Sequence, residues 1–483
     1  MATITGAAFI RGEIYSDSLV TFGGRGGDAS FLAPDPMSLL DHLPLRDPGA
    51  LRDLYELKFD DIVDYLVELG EGLDLSKNEF VQEALEHSYL MTDMTPPLLH
   101  RQYSEFRHIF RREFVRQMAD VPIGIPLLED WQEVQLSDGR LASIRAMGAR
   151  SLHIVAGNSP FVTAITIVRN AITRSDAIIK LPSNDPLTAL AIARTMADFA
   201  PDHPLTKHLS VAYWKGGTEE FEQRLYLPSN LEKIVAWGGF ASLKHVTRYI
   251  HPGLELISLD PKRSATVIGQ EAFASEASMR EVARRAASDM GSLNQLGCTA
   301  ARVIYVACGT GIEGVVKLNH LGEMIYEALL GLPGSISSKP KRFDPELRDN
   351  IRVLKSFEDY YTVIGGEEDE GAVIVSHAGE PVDFHTSLAG RVANLVPIDK
   401  PLDALRGMSA YTQTIGIYPE ALKSELRDIL PLYGAQRMVS LGYANTGNSS
   451  LPQDAIEPTR RMCKWIVDES CDPARIPAPW LEN

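Results

Sequence analysis

The sequence predicts an α/β protein: two successive α/β regions, the first a parallel sheet with helices on both faces. From residue 151, short apolar runs alternate with helical stretches, the pattern of β–α–β units whose crossover helices cover a parallel sheet. A second series of this kind begins near Met290. The chain has 483 residues, 45% of them hydrophobic. That is too long for one simple domain and enough to bury a sizeable core.

Residues 48–117 read as helical, because Leu51, Leu54, Tyr55 and Leu57, then Ile62, Tyr65, Leu66 and Leu69, recur at three- and four-residue spacings. Trp131–Met147 reads as a β-hairpin, with alternating apolar residues on either side of Ser137-Asp138-Gly139. The strands expected in the first sheet are Leu152–Ala156, Ala177–Lys180, Leu209–Tyr213, Ile234–Trp237 and, as a fifth, Ala265–Gly269. In the second region Arg302–Val306, Val392–Pro397, Gln413–Ile417 and Arg437–Leu441 are strand-like. The tail from Cys471 holds three prolines and is expected to lie across the surface.

The net charge of −17 argues against a nucleic-acid or anionic-membrane surface, which needs clustered Lys and Arg. The four cysteines include no CxxC pair and no His at zinc-ligand spacing, so neither a disulfide framework nor a metal site is expected. No signal peptide and no run of about 18 apolar residues is read, and the expected location is cytoplasmic.

Ligands of parallel sheets bind beyond the carboxyl ends of the strands, which directs attention to the turns after Ala156, Lys180 and Trp237. Asn158, in Gly157-Asn158-Ser159-Pro160, could donate a hydrogen bond to a developing oxyanion, or simply close a turn. Lys180 could reach an adenosine ribose or its phosphate. Ser183 is small and neutral, which leaves room for a 2′-phosphate that a carboxylate would repel; Ser183 or Asp185 could also cap the helix expected over Pro186–Phe199. Gly238-Gly239 is a glycine pair at a strand end. Cys298 follows Asn294-Gln295-Leu296-Gly297 and precedes a strand. A thiolate is both nucleophile and leaving group, as passage of an acyl group through a thioester requires. A lone cysteine is more often a core residue; the Asn-Gln, Gly and small neighbours favour chemistry.

In order and spacing, Gly157–Pro160, Lys180–Ser183 and Asn294–Cys298 resemble the aldehyde dehydrogenase superfamily, and the hairpin is similar to that family's oligomerisation flap. The closer resemblance, over roughly residues 120–470, is to the LuxC-type acyl-CoA and acyl-protein thioester reductases. It rests on Lys180-Leu-Pro-Ser-Asn-Asp-Pro186, Tyr213-Trp-Lys-Gly216, Ala236-Trp-Gly-Gly239, Tyr411-Thr-Gln-Thr-Ile-Gly-Ile-Tyr-Pro419 and Glu457-Pro-Thr-Arg-Arg-Met462.

The resemblance implies an aldehyde dehydrogenase-like fold with a Rossmann-type cofactor domain, an α/β catalytic domain and an oligomerisation hairpin. The expected division is residues 1–130, helical and packed on the cofactor domain; 131–150, the hairpin; 151–290, NADP-binding; 291–445, catalytic; and 446–483, a C-terminal segment. It implies NADPH held by Lys180, Ser183, Gly238 and Gly239, no metal, and a Cys298 acyl-enzyme with Asn158 at the oxyanion. The substrate would be acyl-CoA or an acyl-carrier or acyl-protein thioester, released as aldehyde. The implied partners are an acyl-protein synthetase or synthase and further copies of the chain, as a homodimer or homotetramer. The chain departs from the family at Pro452-Gln453-Asp454-Ala455, where Pro-His-Asp-Gly is usual. The general-base Glu of hydrolytic aldehyde dehydrogenases has no clear counterpart; Glu255 and Asp260 lie near its place. Two other readings stay open: an NAD(P)-dependent aldehyde oxidation enzyme, and a catalytically quiet acyl-binding scaffold.

Overall fold

The computed structural model describes residues 4–24, 29–472, 476 and 479–480. Most of the tail after Cys471 lies outside the described residues, and with it the expectation that it crosses the surface. The chain forms two compact units: Met1–Thr92, Gln102–Leu259 and Ser449–Asn483 make the first, Asp93–Arg101 and Asp260–Asn448 the second.

The first unit contains a seven-stranded sheet. In chain order its strands are β1 (Ala8–Ile10), β2 (Glu13–Tyr15), β3 (Arg150–Ile154), β4 (Asp176–Lys180), β5 (Leu209–Ala212), β6 (Lys233–Trp237) and β7 (Glu255–Leu259). The spatial order is β7-β6-β3-β4-β5-β1-β2. Strands β3 to β7 pair in parallel, whereas β1 and β2 add on antiparallel. Helix α1 (Pro160–Ile172) connects β3 to β4, and α2 (Thr188–Phe199) connects β4 to β5. The parallel strands are apolar along their whole length because both faces are covered; Leu152, Ile178 and Ile234 are buried in one cluster with Trp214. From β3 the chain runs outward through β4 and β5, then returns to place β6 on the other side of β3. The order therefore reverses between β3 and β6, the place where such sheets open a ligand crevice.

The structure corrects the expectation that residues 1–130 are helical throughout. Before Pro36 the described residues carry short strands: β1, β2, and a small sheet of Ile4–Thr5, Leu19–Gly23 and Ser30–Pro34. Strands of two to five residues are too short for a repeat to show. Helices begin to dominate at Arg52–Glu56, and Phe59–Gly72 buries Ile62, Tyr65, Leu66 and Leu69 as their spacing predicts.

The hairpin strands are Gln132–Gln135 and Leu141–Met147, paired antiparallel. A third strand, Lys464–Ser470 from the C-terminal segment, pairs along the full length of Leu141–Met147. Just before it, Gln453 and Ile456 exchange backbone hydrogen bonds of 2.8 and 3.0 Å across a two-residue turn. Both central residues are left-handed, Asp454 at φ 54° and Ala455 at φ 62°. Such a turn favours Asp-Gly, and Ala455 stands in the place of that glycine. An L-residue with a Cβ pays about 1–2 kcal/mol there, and glycine returns about 0.4–1 kcal/mol of that through its freer unfolded chain. Ala455→Gly is therefore expected to raise stability by about 0.5–1 kcal/mol. Urea unfolding checks this, and an unchanged or lower midpoint would contradict it.

The second unit also contains a seven-stranded sheet. Its strands are β8 (Arg263–Ile268), β9 (Ala301–Ala307), β10 (Tyr361–Gly365), β11 (Ala372–Ser376), β12 (Val392–Ile398), β13 (Thr412–Tyr418) and β14 (Arg437–Ser440). They are ordered β10-β11-β12-β9-β8-β13-β14, all parallel except the edge strand β10. Helices α3 (Glu276–Gly291) and α4 (Ile312–Leu330) pack together on one face, burying Ala286, Met290, Leu321 and Ile325 with Val306 and Leu395 of the strands. Strand β8 corrects a second expectation. The sequence places Ala265–Gly269 in the first sheet, but Ala265–Ile268 pairs centrally between β9 and β13. A strand covered on both faces reads the same in any parallel sheet, so its composition does not say which sheet it joins. The middle stretch of the first unit accordingly stops at Leu259, and the unit takes up the chain again at Ser449.

Among the described residues, no helix is long and apolar enough to cross a membrane.

Candidate active site

Three turns of the first unit carry Asn158, the expected oxyanion donor, and the residues expected to bind the cofactor. Asn158 follows β3, Lys180 ends β4, and Gly238-Gly239 follows β6. The Asn158 and Gly238-Gly239 turns thus flank the β3/β6 reversal, and Lys180 lies one strand further along. Ser159 begins α1 by accepting the Phe161 N–H at 3.3 Å, while its hydroxyl donates to Gln102 Oε1 at 2.6 Å. Asn184 Nδ2 donates to the Gly157 carbonyl at 2.9 Å, which joins the Asn158 turn to the loop bearing Ser183. Gly157 is required by that closeness: a Cβ there would stand 2.1 Å from Asn184 Oδ1. Asp185 accepts the N–H and hydroxyl of Thr188 at 3.1 and 2.6 Å, so α2 starts at Thr188, two residues later than its sequence suggests.

Lys180 reaches over two aromatic rings, with Nζ 5.5 Å from the Trp214 centroid and 5.9 Å from that of Tyr213. Burial lowers its pKa to about 8, and the charge of Glu222 pulls the other way. Glu222 is itself buried, held by His245 Nε2 at 2.6 Å, the Tyr249 hydroxyl at 3.1 Å and the Gly217 N–H at 3.2 Å. A carboxylate taken out of water needs such partners; His245, which reads from sequence as a surface or packing residue, is one of them. A Cβ on Gly216, Gly217 or Gly239 would meet nothing within 4 Å, so the backbone at these strand ends faces open space.

In the second unit Cys298 is half-buried, in the loop that enters β9. The approach to it is unusual. Leu293, Asn294 and Gln295 lie consecutively in the left-handed region, at φ 53°, 53° and 63°. Non-glycine residues there cost about 1–2 kcal/mol each, and survive where surroundings over-determine them. Gln295 supplies that constraint: its Nε2 donates to the carbonyls of Ala301 (2.8 Å) and Val392 (2.9 Å), and its Oε1 accepts the Val392 N–H at 3.0 Å. Asn294 Oδ1 accepts the Ser338 N–H at 2.8 Å. Gln295 therefore clamps a left-handed turn onto the first residues of β9 and β12, and Asn294 ties it to Ser338. Beyond the turn, the Cys298 carbonyl accepts from Ser264 Oγ at 2.7 Å, and Thr299 Oγ1 donates to Asn445 Oδ1 at 2.7 Å.

Sequence reasoning missed two arginines here. Arg302 donates to the carbonyls of Leu388 and Ala300 at 2.8 and 3.2 Å. Arg437 donates to the carbonyls of Ala444 and Thr446 at 2.7 and 3.2 Å, on either side of Asn445. Both interact electrostatically with Cys298. A Cys–Arg spacing of four residues carries no motif, and Arg437 is remote in sequence. Glu255 opens β7 at its amino end, away from the turns described above, and pairs with Lys233 at 2.7 Å and Arg461 at 2.8 Å. Burial alone would raise its pKa, but these two cations hold it below the usual carboxylate range.

The acyl-CoA reductase (LuxC) family model matches residues 54–465. The chain belongs to that family. Among similar proteins, this LuxC-family chain is 27% identical over 321 residues to a long-chain acyl-protein thioester reductase of Vibrio harveyi, and 29% identical over 328 residues to one of Photorhabdus laumondii. In both cases the match covers 66% of this chain and 64% of the relative, just under two thirds of the relative's length. The solved structures it resembles include the NADP-dependent glyceraldehyde-3-phosphate dehydrogenase of Bacillus halodurans complexed with NADP, at a TM-score of 0.74 and 14% identity over 97% of this chain and 99% of that one. Lactaldehyde dehydrogenase of Escherichia coli follows at 0.70 and 14%, covering 97% and 100%. The LuxC-family chain therefore has the aldehyde dehydrogenase-like α/β fold. Among its described residues, no group of three or more His, Cys, Asp or Glu could hold a metal ion.

Proposed function

We propose that this LuxC-family chain is an NADPH-dependent reductase that takes an acyl group from an acyl-CoA or acyl-protein thioester onto Cys298 and releases it as an aldehyde. The observation that carries the reading is the clamped left-handed turn ahead of Cys298: a conformational cost concentrated at one half-buried thiol suits a nucleophile better than a packing residue. In the first half-reaction Cys298 Sγ bonds to the acyl carbon, the bond to the donor sulfur breaks, and the donor leaves as a thiol. Asn158 and the Cys298 N–H are the donors proposed for the oxyanion. The reduced nicotinamide would supply hydride to the acyl carbon. Cleavage of the Sγ–C bond then frees the aldehyde and restores the thiol.

The first unit has features that suit NADPH. Open backbone at Gly239, Gly216 and Gly217 permits close approach, Ser183 brings no negative charge, and the Lys180 ammonium lies over the Trp214 and Tyr213 rings. The engagement of Glu255 by two cations removes it as a base for hydrolysis, which favours reduction over oxidation. An acyl-protein synthetase as donor, and a homodimer or homotetramer, belong to the same proposal.

The test is mass spectrometry of the full chain with palmitoyl-CoA, then NADPH. Acyl mass on the peptide carrying Cys298, discharged as aldehyde on adding NADPH, is expected. An adduct that persists with NADPH would favour the quiet scaffold, and acyl mass elsewhere would overturn the assignment. Cofactor choice has its own pH signature. Lys180 is charged below about 8 and neutral above it, so affinity for a 2′-phosphate falls as pH rises through that value. The KM for NADPH is expected to rise about tenfold between pH 7 and 9.5, as loss of one charged hydrogen bond implies. The KM for NADH should move much less, and Lys180→Met should abolish the difference. Parallel profiles for the two cofactors would remove Lys180 from the phosphate site.

A further inference from the structure

Cys298 sits in a turn that its own backbone holds loosely. Gly297–Ala300 form a four-residue turn with Cys298 and Thr299 at its centre, closed by the Ala300 N–H on the Gly297 carbonyl at 3.3 Å, longer than usual for such a bond. A trans peptide is planar, so a Gly297 carbonyl aimed at Ala300 points the Cys298 N–H, one of the donors proposed for the oxyanion, the opposite way. The turn therefore sets both the sulfur and that N–H. Two side chains from outside reinforce it. From β8, Ser264 Oγ donates to the Cys298 carbonyl at 2.7 Å and accepts the Thr414 N–H of β13 at 3.1 Å. From the loop after β14, Asn445 Oδ1 accepts the Thr299 hydroxyl at 2.7 Å. That bond lies against Gly297, where a Cβ would stand 3.4 Å from Thr299 Oγ1 and 3.6 Å from Asn445 Oδ1.

Asn445 is itself held from two sides. Asp289, on α3 and fully buried, accepts the Gly442 N–H on Oδ2 and the Ala444 N–H on Oδ1, each at 2.9 Å. Arg437, which opens β14, donates to the Ala444 and Thr446 carbonyls at 2.7 and 3.2 Å, and to the Thr414 hydroxyl at 3.3 Å. A carboxylate on the amide side and a guanidinium on the carbonyl side fix residues 442–446 to the sheet with charge-assisted bonds. Strand β13 leaves room for the acid: a Cβ on Gly416 would stand 2.6 Å from Asp289 Oδ2. A carboxylate so far out of water is costly without such partners, and what it holds is the short loop whose Asn445 reaches the Cys298 turn. The Asn445 amide packs poorly. Its Nδ2 is buried and has no hydrogen-bond partner among the described residues, which lowers stability. What it contributes is the oxygen on Thr299.

We infer that Asn445, acting through Thr299, is a positioning residue for Cys298, and that Asp289 and Arg437 keep Asn445 in place. This rests on Cys298 being the nucleophile. Asn445 works without touching substrate or cofactor. Its bond stops Thr299 from swinging and the turn from opening as the acyl carbon approaches, so the sulfur and the Cys298 N–H stay aligned through attack.

The test compares, in the full chain, Thr299→Val, which keeps the shape and removes the hydroxyl, with Thr299→Ser, which keeps the hydroxyl, and with Asn445→Ala. Each is read by peptide mass spectrometry for the rate at which Cys298 gains acyl mass from saturating palmitoyl-CoA, and for its alkylation by iodoacetamide, which needs no oxyanion donor. Thr299→Val and Asn445→Ala should each slow acylation by about tenfold to a hundredfold, as a misplaced reacting group does, with alkylation changed by less than about threefold. The KM for NADPH should not move, and Thr299→Ser should acylate at close to the unsubstituted rate. Because the two residues act as one bond, the Thr299→Val, Asn445→Ala double variant should be no slower than the slower single variant. Asp289→Asn, which turns a donor toward one of the N–H groups the acid now accepts, should slow acylation alone and add nothing to Asn445→Ala. Thr299→Val at the unsubstituted acylation rate overturns the inference and leaves the nucleophile standing, whether or not the other variants fold. Equal losses of acylation and alkylation would mean a turn that has merely lost its structure. Additive losses in either double variant would mean independent roles. Both results also overturn it. An unsubstituted protein that gains no acyl mass at Cys298 removes the nucleophile itself.

Discussion

Cys298→Ala is expected to abolish covalent acyl uptake and to lower thioester reduction to background, with the fold retained. The residue is half-buried in a loop, so removing one sulfur opens little core volume and should cost stability only modestly. Chemically nothing replaces it. Cys308 is pushed up to about 11 by burial and Cys463 up to about 12 by near-complete burial; both are protonated at neutral pH and poor nucleophiles. Cys471 is exposed, in the first unit. The measurement is a pair: acyl mass on the intact chain after incubation with palmitoyl-CoA, and aldehyde formed with NADPH. Both should vanish together. A Cys298→Ala protein that reduces thioester at the unsubstituted rate would end the assignment, and one that loses aldehyde formation while still acquiring acyl mass would move the nucleophile to another residue.

Asn158→Ala is expected to reduce turnover by about two to three orders of magnitude while acyl-CoA binding changes little. Loss of one preorganised oxyanion donor costs about 3–4 kcal/mol in comparable sites, because that interaction strengthens as charge develops and does little in the ground state. The local structure should survive. The turn is held by Gly157 against Asn184 and by Ser159 at the start of α1, and neither contact uses the Asn158 side chain. The kinetic signature is a fall in kcat with KM nearly constant, and the burst of Cys298 acylation should slow with it. An Asn158→Ala protein within threefold of the unsubstituted rate would leave Asn158 as a turn former and nothing more.

Much of this architecture can be read from local pattern, and the exceptions have physical reasons. Alternating apolar runs and helices located β3 to β6 and the turns that end them, since a strand covered on both faces is apolar whatever its neighbours. Strand order is a tertiary fact, so nothing local revealed that the Asn158 and Gly238-Gly239 turns meet at the β3/β6 reversal, or that β8 belongs to the second sheet. Asn294 and Gln295 stood out beside Cys298, yet their clamping of a left-handed turn was hidden, because a positive φ is signalled in sequence by glycine and the three residues here are Leu, Asn and Gln. Arg302 and Arg437 were invisible for a different reason: electrostatic neighbours of a thiol are set by which strands adjoin, and β9 and β14 lie 135 positions apart in numbering between those two residues.

The left-handed turn ahead of Cys298 also sets a limit on how the protein can be improved. Leu293 withholds free energy from the native state that glycine would refund in part, whereas glycine at Asn294 or Gln295 would also give up the buried side-chain hydrogen bonds that hold the turn. Screening for heat tolerance would draw glycine into residue 293 but not into 295, whose amide grips two strands, and the replacement at 293 would slacken the mount of the sulfur. In this segment melting temperature and turnover pull in opposite directions, so ruggedness should be sought at positions such as Ala455, where relief of a left-handed residue touches no chemistry.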